Sequence, residues 1–166
     1  GYSGNLDPDT SYNGSYILGT DITTDGVYAN SLTNRKDSAV SPSFNCFYYK
    51  DVSLYFVRWL NIEFFDNCYI DISSDNGVTW TQVWKNTGSI IENTWSVLNY
   101  DLNQADFKDK VKIRFALGST NAGNQYTGWN IDDFILIGDF ISKDVGVTDI
   151  IMPVTGCGHT TSDEIS

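Results

Sequence analysis

The chain has 166 residues with 14% aromatics (5 Trp, 10 Tyr, 9 Phe), 14 Gly and a formal charge of −11. That charge repels the phosphates of nucleic acid and of anionic membrane surfaces, and no apolar run approaches the roughly 18 residues of a membrane span. The length suits one domain with a fragment of another and suffices for a core without a disulfide scaffold. No signal peptide opens the segment, so the expectation is that any export signal was removed or lies outside it.

Short alternating apolar runs, many Asn, Asp, Ser and Thr, and few helix formers describe an all-β protein with polar loops. Residues 1–15 read as an irregular segment, followed by a strand from Ser15 to Thr20. Asp25-Gly26 is a turn signal, Val27 to Ala29 a brief pairing, and Asn30 to Asp37 a polar loop before Ala39-Val40-Ser41-Pro42. Val52 to Glu63 is the clearest central strand. Leu54, Phe56, Leu60 and Ile62 share one face, broken by Arg58, and Tyr55, Val57, Trp59 and Asn61 the other. Both faces carry bulk, so the strand is either covered on two sides or presents an aromatic-lined surface.

Cys68 to Ser73 and Trp80 to Lys85 form a hairpin across Ser74 to Thr79, where Asn76-Gly77 supplies positive φ angles. Trp95 to Asp101 is a strand, Asn103 to Asp109 a turn, Lys110 to Gly118 a strand with Val111, Ile113, Phe115 and Leu117 inward, and Ser119 to Thr127 a polar loop. About eight strands with no crossover helix predict an antiparallel two-sheet jelly-roll β-sandwich, and the lack of repeats argues against a propeller.

The run Gly128-Trp129-Asn130-Ile131-Asp132-Asp133-Phe134-Ile135-Leu136-Ile137-Gly138 places two carboxylates inside an apolar strand. Simple alternation puts Ile131, Asp133, Ile135 and Ile137 on one face and Asp132, Phe134 and Leu136 on the other. One aspartate then faces inward or sits at the start of the strand. An inward carboxylate needs a hydrogen-bonded loop to latch or a hard cation such as calcium; the bland alternative is a solvated pair.

Gly19-Thr20-Asp21, Ser41-Pro42, Leu54-Tyr55-Phe56 with Trp59, Asp66, Ile72 to Trp80, Val111 to Phe115 and Gly128 to Phe134, in that order, resemble a known extracellular family. Residues 13 to 138 are similar to the MAM-like jelly-roll domain of bacterial secreted proteins, as in the cleaved-adhesin domains of gingipains and the accessory domain of immune inhibitor A metalloproteases. The resemblance implies adhesion or service to an enzyme, and structural calcium at Asp132 and Asp133, with Asp21 and Asp66 as further partners. Phe134 stands where the family has a small aliphatic residue, and no aromatic marks residues 1–12 beyond Tyr2 and Tyr12 as the family's first strand would. Asp144 to Pro153 with Gly156-Cys157-Gly158 resembles the opening of the immunoglobulin-like modules that follow such domains. The expected division is a MAM-like domain at 1–141 and a linker with the first strand of a truncated module at 142–166, which docks or pairs. The parent is then a modular, type IX-secreted, cell-surface or extracellular protein.

Cys46, Cys68 and Cys157 lack zinc-site spacing; Cys46 and Cys68 are read as free thiols, with a disulfide open to them if their strands are neighbours. Ser73-x-Asp75-x-Gly77-x-Thr79-Trp80 matches the Asp-box hairpin of sialidases, here a single copy and so a folding device. Arg35, Arg58 and Arg114 have the number a carboxylate-clamping site would want, which is treated as coincidence. Asp71 to Asp75 fails as an EF-hand because Asn76 and Gln82 stand where Gly and Glu belong. His159 is the sole histidine, lying among Gly and Thr, so a catalytic triad is not expected and the chain is read as no enzyme.

Trp59, Trp84, Trp95, Trp129 and Tyr126 are candidates for stacking on sugar rings. Tyr126, beside the amide of Asn124 in the Asn121 to Thr127 loop, is the first choice for an exposed ligand contact and Trp95 the second. The function expected is a non-catalytic, calcium-stabilised binding module for glycan or a surface protein, joined to other domains of its parent. The alternative is a structural spacer or accessory domain with no ligand of its own.

Overall fold

The computed structural model describes residues 7–21 and 26–142. The expectations for Asp25 and for 143–166, Cys157 and His159 included, lie outside the described residues. Among those described, the strands are β1 (Leu18–Gly19), β2 (Asp37–Val40), β3 (Tyr49–Ile62), β4 (Cys68–Ser73), β5 (Thr81–Lys85), β6 (Ile90–Ile91), β7 (Ser96–Asp101), β8 (Lys112–Leu117) and β9 (Gly128–Phe140), with a 3-10 turn at Asn103–Ala105. No helix among them is long and apolar enough to cross a membrane.

The strands form a two-sheet antiparallel sandwich of jelly-roll type. In one sheet β1 pairs β9, β9 pairs β3, and the far edge of β3 is shared by β6 and β7; the other has the order β2-β8-β4-β5. The inward positions of β3, namely Val52, Leu54, Phe56, Leu60 and Ile62, meet Ile70 and Ile72 of β4 and Ile113, Phe115 and Leu117 of β8. Each such fully buried side chain contributes about 1.5–3 kcal/mol.

Arg58 shares that inward register. Its Nη2 donates to Glu92 Oε1 at 2.6 Å, and its guanidinium lies 5.4 Å from the Trp84 ring of the opposite sheet. Glu92 Oε2 also accepts the Leu60 amide at 2.6 Å, so the carboxylate fills the gap between β6 and β7 along the edge of β3. The interruption in the apolar pattern is thus a self-neutralised pair, costly to break from either side.

Several boundaries differ from the expected ones. The first strand shrinks to two residues, β2 begins at Asp37, β3 starts at Tyr49, and β6 was not anticipated. Val27 to Ala29 forms no strand, although the Tyr28 amide donates to the Tyr126 carbonyl at 3.0 Å. Cys46 and Cys68 are free and buried. Cys68 lies opposite Leu117 and Phe44 opposite Val111, the two ends of β8, about 20 Å apart at strand rise, so no disulfide can join them.

The largest correction concerns β9. Tyr55 faces Ile135 and Val57 faces Asp132, so the single residue Phe56 opposes both Asp133 and Phe134: a β-bulge, with Asp133 at φ +46°. The extra residue reverses the facing of everything after it. Trp129 and Ile131 before the bulge, and Phe134 and Leu136 after it, all pack on the core, while Ile135 and Ile137 are exposed. Neither aspartate faces inward. Asp132 Oδ1 accepts the Asp133 amide at 2.8 Å and Oδ2 the Asn13 amide at 3.0 Å, which is the loop latch.

Gly128 starts β9 at φ +76°, where a Cβ would come within 2.8 Å of Thr20 Oγ1. That oxygen accepts the Trp129 amide at 3.0 Å, and Trp129 Nε1 donates to the Ala116 carbonyl at 3.1 Å. The Gly-Trp half of the motif therefore ties β1, β9 and β8 together. Left-handed backbone at position 133 makes a sharp prediction: Asp133→Gly should leave the melting midpoint near wild type, whereas Asp133→Val, β-branched at positive φ, should lose about 1–2 kcal/mol in denaturant unfolding.

Candidate functional site

Three of the places that carry concentrated polar or aromatic groups among the described residues hold the side chains the sequence singles out. The first is the outer face of the sheet holding β3, where the register lays out four rows: Trp95 beside Trp59 and Asn130; Val97, Val57 and Asp132; Asn99, Tyr55 and Ile135; Asp101, Ser53 and Ile137. Trp95 packs edge-on against Trp59, centroids 5.9 Å apart, and against Tyr12 at 6.4 Å. Tyr55 and Trp59 lie four residues apart, about 13 Å along the strand. Asn99 Nδ2 donates to Tyr55 Oη at 3.1 Å, fixing the phenol. Val97, Ile135 and Ile137 are 64%, 51% and 49% exposed while Val57 and Asn130 are buried, so the part of this face around Tyr55 is open and partly apolar rather than a conventional polar exterior.

The N-terminal segment covers one end of the face: Asp7 Oδ1 accepts from Asn130 Nδ2 at 2.8 Å, and Asn13 is latched by Asp132. Burial raises the Asp7 carboxyl above its usual range, partly offset by its bond to Asn130.

The second place is the outer face of the other sheet. Asp71, 1% exposed, accepts from Arg35 Nε at 2.8 Å and from Arg114 Nη2 at 2.7 Å. Arg35 stacks 3.7 Å from the Tyr69 ring and Arg114 4.3 Å from Trp80. Arg58 is in the other sheet with Glu92, so the three arginines do not converge.

The adjoining Asp-box is a folding device by its geometry. Asp75 Oδ1 accepts the Thr79 amide at 2.8 Å, Ser73 Oγ accepts the Gly77 amide at 2.8 Å, and Trp80 Nε1 donates to the Gly77 carbonyl at 3.1 Å. Asn76 and Gly77 have φ of +62° and +94°, as Asn-Gly requires.

The third place is an open cleft between β1 and β2, rimmed by Asp21, Asp37, Asp132 and Asp133. It accounts for three of the four aspartates expected to hold a cation. The fourth, Asp66, is fully buried elsewhere; it accepts from Tyr28 Oη at 2.6 Å and from the Asn121 amide at 2.7 Å. Burial and the Asp66 bond push the Tyr28 phenol well up. No three His, Cys, Asp or Glu side chains converge as a metal group among the described residues. Asp66 thus lies apart from the three aspartates at the cleft, among which Asp132 and Asp133 are adjacent.

Tyr126 is not the exposed contact its loop suggested. It is 7% exposed and belongs to the core, because Asp66, the Thr120 hydroxyl on the Ala29 carbonyl and Gln125 Nε2 on the Tyr28 carbonyl fold the loop inward. Asn124 is exposed and Trp95 half-buried. Tyr55 and Trp59 were legible as the alternate face of their strand, whereas Asn99 and Tyr12 carried no local signal and joined the site only through pairing.

Comparison of the chain with protein-family models and with curated proteins gave no match.

The Asp75 bonds predict a pH response. The Thr79 hydroxyl, then the Thr79 amide and Ser73, hold its carboxyl down to about 2 from an ordinary 3.8. Because the folded value lies below the unfolded one, the stabilisation is present above pH 3.8 and is lost as pH falls towards 2. Melting temperature over that window should fall less steeply in Asp75→Asn than in wild type.

Proposed function

We propose that this chain is a non-catalytic binding module of MAM-like, cleaved-adhesin type from a secreted bacterial surface protein, and that it takes glycan on the outer face of the β3 sheet. The observation that carries the reading is the half-buried ring pair Trp95 and Trp59, with half-buried Tyr55 four residues along the same strand and Asn99 and Asp101 beside it. Aromatic rings offer flat apolar area to pyranose faces, and the amide and carboxylate provide hydrogen bonds to hydroxyls. A spacer would have no use for Val97, Ile135 and Ile137 left open around such a row. The buried carboxylates Asp71 and Asp66 and the half-buried Glu92 are occupied by arginine or tyrosine inside the protein, which suits structural rather than catalytic use.

Calcium enters this reading at Asp132 and Asp133, with its remaining ligands drawn from backbone oxygens and water. A cation held only by the folded state raises the melting temperature with its saturation. Added calcium should therefore raise the wild-type midpoint, chelator should reverse the rise, and Asp133→Asn should show neither effect. A flat response in both proteins removes calcium from the proposal and leaves the glycan face standing.

The glycan reading is tested by a glycan-array screen followed by titration of the best ligand. Tyr55→Ala and Trp95→Ala should each weaken binding by about tenfold, the loss of one stacking contact. Tyr126→Ala should act only through stability. An array without a ligand would return the chain to the spacer class, and a ligand bound with unchanged affinity by both Tyr55→Ala and Trp95→Ala would remove the glycan from this face.

A further inference from the structure

The two sheets do not close along the edge formed by β1 and β2. Two openings of about 400 and 320 Å³ lie there and share Leu18, Ala39, Phe115 and Ile131, so they form one continuous cleft. Its floor is the core itself: Ile113, Phe115, Leu117, Trp129, Ile131 and Phe134. Its lips are apolar and in water, with Leu18 47%, Val40 48% and Tyr16 90% exposed. Four carboxylates, Asp21, Asp37, Asp132 and Asp133, stand around this apolar slot, and among the described residues no lysine or arginine lines it. Among the described residues β2 pairs only β8, and β1 pairs only β9, so a strand edge runs along each lip.

We propose that this cleft receives an extended segment of a partner protein in which lysine or arginine alternates with apolar side chains. The charge pattern selects the occupant: an acidic segment would meet four like charges, and a wholly apolar one would desolvate them without compensation. A lysine or arginine lays its aliphatic stem against Val40, Leu18 and Phe134 and brings its cationic head to Asp133 and Asp37, with the Tyr16 ring as a further cation-facing surface. The free edge of β2 supplies main-chain hydrogen bonds, as in strand addition. Asp132 is already fixed by the Asn13 amide, so one rim charge is placed before the partner arrives. This surface is separate from the aromatic face and goes beyond the glycan reading.

The test is fluorescence anisotropy with two labelled peptides, Val-Lys-Val-Lys-Val and Val-Glu-Val-Glu-Val, both capped. The lysine peptide should bind saturably and weaken as salt is raised, since exposed charges are screened; the glutamate peptide should not bind. The double variant Asp37→Asn with Asp133→Asn should lose about tenfold in affinity, as expected of two partly exposed charge pairs. Asparagine tolerates the left-handed backbone at 133, so the fold should survive; Val40→Lys, at an exposed lip position, gives an independent variant that should lose binding as well. Absence of saturation by about 1 mM, equal binding of the glutamate peptide, or unchanged affinity in either folded variant overturns the proposal. Glycan binding measured on Val40→Lys should not move, so the two readings fail separately.

Discussion

One extra residue in β9 decides how this sandwich is assembled. Strand β9 is the partner of both β1 and β3, and its side chains supply Trp129 and Ile131 on one side of Asp133 and Phe134 and Leu136 on the other. Without the bulge, a strict alternation would send either the first pair or the second to solvent, because a one-residue shift moves every following side chain to the other face. The bulge lets all four reach the core and turns Ile135 and Ile137 outward beside Tyr55 and Ser53. It also explains why two adjacent carboxylates are tolerated in an apolar strand. They sit where the ladder is broken, one capping its neighbour's amide and the other on a backbone that favours Asp, Asn or Gly.

The remaining buried charges follow a different rule. Asp71 on the outer face of β4 is enclosed by Arg35 and Arg114, which are themselves stacked on Tyr69 and Trp80. Arg58, projecting between the sheets, is met by Glu92. In each case the guanidinium is held by a carboxylate and an aromatic ring, the arrangement in which arginine loses least on leaving water. Asp66 is satisfied without any cation, by a phenol and a backbone amide, and the geometry joins the Tyr28 segment, the loop after β3 and the Asn121 loop at one end of the sandwich.

Local chemistry was readable from the sequence, and long-range chemistry was not. Asn76-Gly77 and the alternation of Leu54, Phe56, Leu60 and Ile62 are properties of a few consecutive residues, and both elements form where they were expected. Arg58 looked like a flaw in the pattern because its partner lies 34 positions away. β6 is two residues long and β1 no longer, too short to show a period. Tyr126 sits in a polar loop, and bonds to residues far away in sequence, from Thr120 to Ala29, Asn121 to Asp66 and Gln125 to Tyr28, turn that loop inward. The bulge was hidden for a related reason: Asp can occupy a left-handed backbone, but it does so rarely enough that a strand-like run gives no notice of it. The acidic pair was noticed as a site, yet the direction of its side chains was assigned wrongly because the period changes in the middle of the strand.

The same bulge links the two surfaces that the fold leaves open. Asp132 lies in a row with Val57 and Val97 on the outer face, and it also lines the cleft between β1 and β2. Its bond to the Asn13 amide holds the segment that carries Tyr12 onto Trp95, so a single carboxylate sits at the border of the aromatic face and of the acidic rim. The Asn13 amide thus sets the position of the one carboxylate that both surfaces share. The bulge places it there: the broken ladder at Asp132 and Asp133 puts acidic side chains at the border of the two surfaces while Ile131 and Phe134 on either side stay in the core.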